Sequence, residues 1–222
     1  MIRYFFAALL ALLPLAAHAQ TEQQTLVDRA TLTVQEMFNA SGSFDIRAQV
    51  RQAKGVLVCP RLFKAGFFFG GQGGGCVLVG RVPRAGWSGP AFYGLGSGSF
   101  GLQIGVQDSE VIFVVRTNRG LQALMNSQFK FGADAGVAVA TIGAGVQGDT
   151  TAALMADIVA VERSRGLYAG VSLEGSILGA RSEWNQAYYG QPLSAQQIVT
   201  QLQGQNPGDA PLREVLLRFS GS

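Results

Sequence analysis

KGVLVCPRLFKAGFFFGGQGGGCVLVGRVPRAGWSGPAFYGLGSGSFGLQIGVQ, residues 54–107, decides the fold. Apolar runs of strand length alternate with glycine clusters, the pattern of tight antiparallel hairpins. It predicts strands over 55–59, 66–70 and 76–81, with the glycines of 70–75 as a hairpin loop. A loop over 83–90 carries Trp87, and further strands follow over 91–95, 100–107 and 111–116. From Ala48 to Gln107 every charged residue is basic: Arg51, Lys54, Arg61, Lys64, Arg81 and Arg84.

Upstream, residues 1–19 read as a signal peptide. Arg3 provides the positive start, an apolar run extends from Tyr4 to Leu15, and Ala17-His18-Ala19 has the small-x-small form of a cleavage site. The run is shorter than the ~20 residues of a spanning helix. The expectation is Sec-type export to a periplasmic or secreted location, with 20–222 as a single domain. Cleavage would remove His18, the only histidine, and with it every histidine-based triad and histidine metal site. Removing Arg3 takes the formal charge from +3 to +2, so distribution matters more than total.

Two cysteines in an exported chain, Cys59 and Cys76, are either bonded or buried free thiols. An oxidising compartment favours the disulfide. With 48% hydrophobic residues the chain can bury an ordinary core, and its 30 glycines sit between apolar runs, not in low-complexity tracts.

Thr21–Gln24 reads as a capping box opening an amphipathic helix to Asn39, with Leu26, Ala30, Val34, Met37 and Phe38 on one face. A short helix is expected over 44–53 and another over 121–128 after a turn at 118–120. Strands are expected within 129–148, and a hairpin of 157–164 with 167–180 around Arg165-Gly166. Ser194 and Gln197 form a second capping box, before a helix to Leu202, a linker over 204–209 and a final helix with Leu212, Val215, Leu216 and Phe219. The fold class is α+β: an extensive antiparallel sheet, open or curled toward a barrel, with N- and C-terminal helices.

Chemical motifs are weak. Gly96-x-Gly98-x-x-Gly101 and Gly143-x-Gly145-x-x-Gly148 match the dinucleotide pattern, but the first runs into a strand where a helix is required. The glycines of 70–75 lack the Lys-Ser/Thr of a phosphate loop. Ser127-x-x-Lys130 lacks the companion motifs of acyl enzymes. The carboxylates Asp108, Glu110, Glu162, Glu174 and Glu183 are scattered, so an enzyme is not expected, and neither cofactor nor metal is implied.

The basic residues say more. Paired strands would gather Arg61, Lys64, Arg81 and Arg84, with Lys54, beside aromatics such as Phe67-Phe68-Phe69. Such a rim suits anionic lipid headgroups; the bland alternative is a solvated sheet edge. Nucleic acid is a poor fit for an exported, nearly neutral chain.

Ala53–Val58, Lys64–Phe67, Gly73–Leu78, Trp87–Phe92, Gly101–Gly105, Gly166–Gly175 and Tyr188-Tyr189-Gly190 resemble, in order, the SYLF family of lipid-binding domains. The resemblance spans about residues 25–190. It implies a non-enzymatic domain whose eukaryotic relatives bind phosphoinositides and other acidic lipids, some of them also actin. For an exported chain it leaves affinity for anionic phospholipid or a membrane surface, with an envelope adaptor binding another protein as the alternative.

Overall fold

The computed structural model describes residues 21–40, 46–66, 69–100, 105–132, 139–143, 155–166, 173 and 175–221. The leader, Phe67-Phe68, residues 101–104, Gly145, Gly148 and Glu174 lie outside them.

Helix α1, Glu22–Asn39, is capped by Thr21, whose hydroxyl accepts from the Gln24 amide at 3.2 Å. The reciprocal half of the box is not made. The Gln24 side chain instead donates to Asp28 (2.7 Å) and to the Gly208 carbonyl (2.9 Å), tying the helix to the C-terminal segment. Helix α2, Ile46–Gln52, leads into β1, Gly55–Gly66, which pairs antiparallel with β2, Phe69–Val82.

The expected first three strands are therefore two long ones. The glycines of 70–75 are not a loop but part of β2, paired on one side with β1 and on the other with β4, Ala91–Phe100. Gly71, Gly73 and Gly75 lie opposite Gly98, Gly96 and Gly94. That places Gly96 and Gly98 of the first dinucleotide-like pattern in mid-strand, where no helix follows to receive a phosphate.

Pro60 lies inside β1 although it has no amide to donate. Both ladders shift by one residue there, between Val58 and Phe63 against β2 and between Cys59 and Leu62 against β5, Gly105–Val115. This bulge accommodates the proline in a central strand. It also exchanges the faces, so that Leu57 and Cys59 share the inner face with Leu62. Cys59 and Cys76 lie on that face and are joined, with Cα atoms 4.2 Å apart.

Strands β3 (Gly86–Trp87), β6 (Gln128–Lys130), β7 (Val139–Gly143), β8 (Ile158–Gly166) and β9 (Ile177–Ala180) complete the sheet in the order β6-β9-β4-β2-β1-β5-β8-β7, with β3 on β2. Arg165 and Gly166, expected in a turn, are the last residues of β8 and pair with Asp108 and Gln107 of β5. Among the described residues the partners of β8 are β5 and, in parallel, β7, while β9 pairs with β4 and β6; residues 167–172 and 174 of the expected hairpin's second strand lie outside the described residues. Helix α3, Asn118–Met125, starts three residues early because the Thr117 hydroxyl caps it, accepting from the Gly120 amide at 3.0 Å.

Both faces of the central strands are buried, which is why they read as continuous apolar runs without alternation. On the outer face Val56, Val58, Val77, Val79, Phe92, Ile112 and Val114 pack beneath α1, α2, α4 (Ser182–Tyr189) and α6 (Ala210–Ser220). On the inner face Leu57, Leu78, Tyr93, Phe113 and Ile158 meet α3 and α5 (Ala195–Val199). The Ser194–Gln197 capping box of α5 is complete. The sheet curls: Phe131, just beyond edge strand β6, packs 5.2 Å from Phe113 on β5, and Phe129 packs 4.9 Å from Phe131. The result is an α+β half-barrel with helices at both chain ends.

Candidate functional site: a basic end of the sheet

The β1–β2 register divides the five predicted headgroup residues. Lys54 immediately precedes the Gly55↔Gly80 pair, and its carbonyl accepts from the Arg81 amide at 2.8 Å. Arg84 follows two residues beyond β2. Lys64 pairs with Gln72, close to the hairpin turn at the opposite end. At the ~3.3 Å rise per strand residue, about 30 Å separates the two groups. The structure brings Lys54, Arg81 and Arg84 together and sets Arg61 and Lys64 apart from them.

Arg61 and Lys64 occupy different surroundings. The Arg61 guanidinium grips Asp108 with both forks, Nε at 2.8 Å and Nη2 at 3.0 Å, and lies 5.6 Å over the Phe63 ring. The hydrogen bond and charge of Arg61 hold the Asp108 carboxyl below its ordinary range, and Asp108 raises Arg61 in turn. The adjoining cleft, about 470 Å³, is lined by Arg29, Arg61 and Arg163 but also by Glu36, Asp108 and Glu110. Arg163 bridges Glu36 on α1 and Glu110 on β5, fastening the helix to the sheet. This end is close to charge-balanced.

The other end is not. Lys54 donates its amide to the Val115 carbonyl at 2.7 Å, which places it beside Arg116 at the end of β5. Arg81 lies 5.2 Å over the Trp87 ring and donates to the Gly221 carbonyl at 3.3 Å, next to the last turn of α6 and its Arg218. On α2, Arg47 sits 5.1 Å over Phe219 of α6 and donates to the Phe38 carbonyl at 2.6 Å; Arg51 ends the same helix. Seven cations from five parts of the chain converge here. Against them stand Glu214, one turn before Arg218, and Asp157, which is buried and held by Thr117 (2.6 Å) and Arg119 (2.6 Å).

Sequence reasoning missed Arg47, Arg51, Arg116 and Arg218 as members of this cluster. The available signal was that two of them, Arg51 and Arg218, lie in the last turns of α2 and α6. Their convergence comes from the packing of α2 on α6, which local pattern does not report.

Among the described residues the carboxylates Asp108, Glu110 and Glu162 do not form an acid/base pair. Asp108 and Glu110 lie on the outer face and are ion-paired. Glu162 is buried and accepts from Gln107 (3.4 Å) and Ser109 (3.2 Å), inner-face residues of β5. Ser127 immediately precedes edge strand β6, and Lys130 ends it.

The fold and this surface define an α+β domain with one strongly cationic end. Residues 96–219 match the family model described as Ysc84, Las17-binding protein actin regulator. The chain is 32% identical over 151 residues to human SH3 domain-containing YSC84-like protein 1, covering 68% of this chain and 44% of that protein. The Xenopus laevis protein of the same name is 33% identical over 143 residues, covering 64% and 42%. LAS seventeen-binding protein 3 of Saccharomyces cerevisiae is 28% identical over 170 residues, covering 75% and 37%. The chain belongs to the Ysc84/SYLF family. It spans less than half the length of the curated relatives it matches. The yeast relative is named as a binding protein.

Proposed function

We propose that this protein is a non-enzymatic domain that binds anionic phospholipid at a membrane surface through its basic end. The observation that carries the reading is the convergence of Arg47, Arg51, Lys54, Arg81, Arg84, Arg116 and Arg218 on one end of the sheet. Each basic residue near an anionic bilayer contributes about 1 kcal/mol, so a handful acting together gives useful affinity. Arg61 and Lys64, part of the rim expected from sequence, contribute less in this reading because Arg61 is already bound to Asp108.

We place the protein in the periplasm or at the cell envelope. The leader-like residues 1–19 and the Cys59–Cys76 pair support an oxidising address. Protein partners are a second reading, favoured by the name of the yeast relative, LAS seventeen-binding protein 3; here the partner would be an envelope protein.

The test is co-sedimentation of the purified protein with zwitterionic and anionic vesicles at low and high salt. The expected result is binding that requires anionic lipid and weakens as salt shortens the Debye length. Binding to neither vesicle, or binding indifferent to charge and salt, removes the reading and leaves the protein-partner alternative.

A further inference from the structure

A second cleft, about 410 Å³, opens beside the basic end. Its apolar wall includes Trp87, Ile198 and Leu202; its polar residues include Asp209 and Arg213. Val82 and Ala85, on either side of the Pro83-Arg84 turn, form part of its rim. We propose that this cleft takes the headgroup of an aminophospholipid, with the ethanolamine ammonium on Asp209 and the phosphate on Arg213, on the side of the turn that carries Arg84.

Two independent observations meet at this cleft. The first is backbone strain. Among the described residues, two that are not glycine have positive φ: Arg84 at 64° and Leu202 at 56°. Arg84 lies in the turn between the lining residues Val82 and Ala85, and Leu202 is itself in the wall. Such conformations cost on the order of 1–3 kcal/mol each and cluster at ligand sites. Leu202 is also half-exposed, a large apolar side chain held out beside the opening.

The second is a carboxylate short of partners. The Asp209 side chain is 4% exposed, and its Oδ1 is 3.3 Å from Nη1 of Arg213, whose own side chain is 46% exposed. No donor among the described residues reaches Oδ2. Although Asp209 stands at the N-cap position of α6, its side chain makes no capping hydrogen bond. Burial pushes its carboxyl above the ordinary range, with Arg213 opposing only in part. Oδ2 is thus an acceptor without a donor among the described residues, on a side chain that lines the cleft. A primary ammonium, with three N–H donors and a full charge, would complete it.

The ligand class follows from charge. A lone cationic side chain would meet Arg213, whereas a purely anionic group would meet Asp209. A phosphoethanolamine zwitterion answers both. Phosphocholine carries the same charges but no N–H to give Oδ2. This assignment rests on the membrane-surface reading, since the cleft opens next to the proposed contact end.

The experiment titrates O-phosphoethanolamine and phosphocholine into the purified protein while following the Trp87 indole N–H by NMR. Expected is a saturable shift with phosphoethanolamine, at least tenfold weaker with phosphocholine and lost in Asp209→Asn. In vesicles of fixed phosphatidylglycerol content, exchanging phosphatidylcholine for phosphatidylethanolamine should tighten binding at least threefold in the native chain and not in Asp209→Asn. Equal response to the two headgroups overturns the proposal, as does a preference retained by the variant. The headgroup comparison on the native chain needs no variant to fold. Discrimination between soluble headgroups without vesicle binding would sink the membrane reading and spare the cleft; vesicle binding without discrimination would do the reverse.

Discussion

Arg84 shows how one residue can carry opposing demands. The Ala85 amide donates to the Val82 carbonyl at 3.1 Å, closing a four-residue turn with Pro83 and Arg84 in its centre. Pro83 suits the first central position because its φ is fixed, but a positive φ at the second is the place of glycine. An L side chain there costs roughly 1–2 kcal/mol. Replacing Arg84 by Gly should relieve that strain, offset partly by the freer unfolded chain. We expect a net gain of about 1 kcal/mol, or about 2–4 °C in Tm for a chain of this size, measured by differential scanning calorimetry. The same variant should bind anionic vesicles several-fold more weakly. A variant that is both more stable and equally tight would show that the strain has no bearing on binding. The charge of Arg84 is legible in the sequence; the sign of its φ is not, because Pro-Arg permits more than one turn type.

At the scale of the element, the β1–β2 hairpin depends on glycines that sequence reading assigns to a loop. The apolar runs around Cys59 and Cys76 are legible as strands, and so is their pairing. What is hidden is that a proline bulge in one strand can be accommodated by glycines in the next. A Cβ on Gly74 would lie 2.0 Å from the Arg61 carbonyl oxygen, at the bulge itself, whereas a Cβ on Gly98 would meet nothing within 4 Å. Gly75 has a third role: its missing side chain lets Leu26 of α1 pack onto the strand, 2.9 Å from where a Cβ would stand. Gly74→Ala should therefore cost about 3 kcal/mol or more by forcing backbone apart, while Gly98→Ala should stay within about 0.5 kcal/mol. Urea denaturation of the two variants checks this. Equal midpoints would mean that the bulge shifts freely. The sequence reading gave residues 177–180 a neighbouring partner in 157–164, whereas β9 pairs with β4 and β6, because four residues joined to strands more than 40 positions away leave no local trace.

For the whole molecule, α+β class, the terminal helices and the cysteine pair could all be read from pattern, because each follows from local spacing or from compartment chemistry. The site was half legible. The carboxylate-free basic stretch pointed to cations in the right hairpin, but an antiparallel pair sends residues near its open ends and residues near its turn to opposite poles. Whether a cation is free also depends on strands far away in sequence: Asp108 on β5 binds Arg61, and no equivalent reaches Lys54 or Arg84 among the described ion pairs. The two poles therefore make different predictions for the membrane reading. Lys54→Ala with Arg84→Ala removes two cations from the converged end, and at ~1 kcal/mol each should weaken binding to anionic vesicles roughly 30-fold. Arg61→Ala with Lys64→Ala removes the same formal charge. It also frees Asp108 and leaves the converged end intact, so its effect should stay below about threefold once long-range charge is screened at physiological salt. Vesicle titrations of the two double variants at 150 mM salt (a Debye length of ~8 Å) decide between the poles. Should the Arg61/Lys64 variant lose more, the contact surface lies at the hairpin turn and the convergence of helices α2 and α6 has no part in it. Equal losses would reduce the basic end to one contributor to a diffuse field, with no defined face toward the lipid.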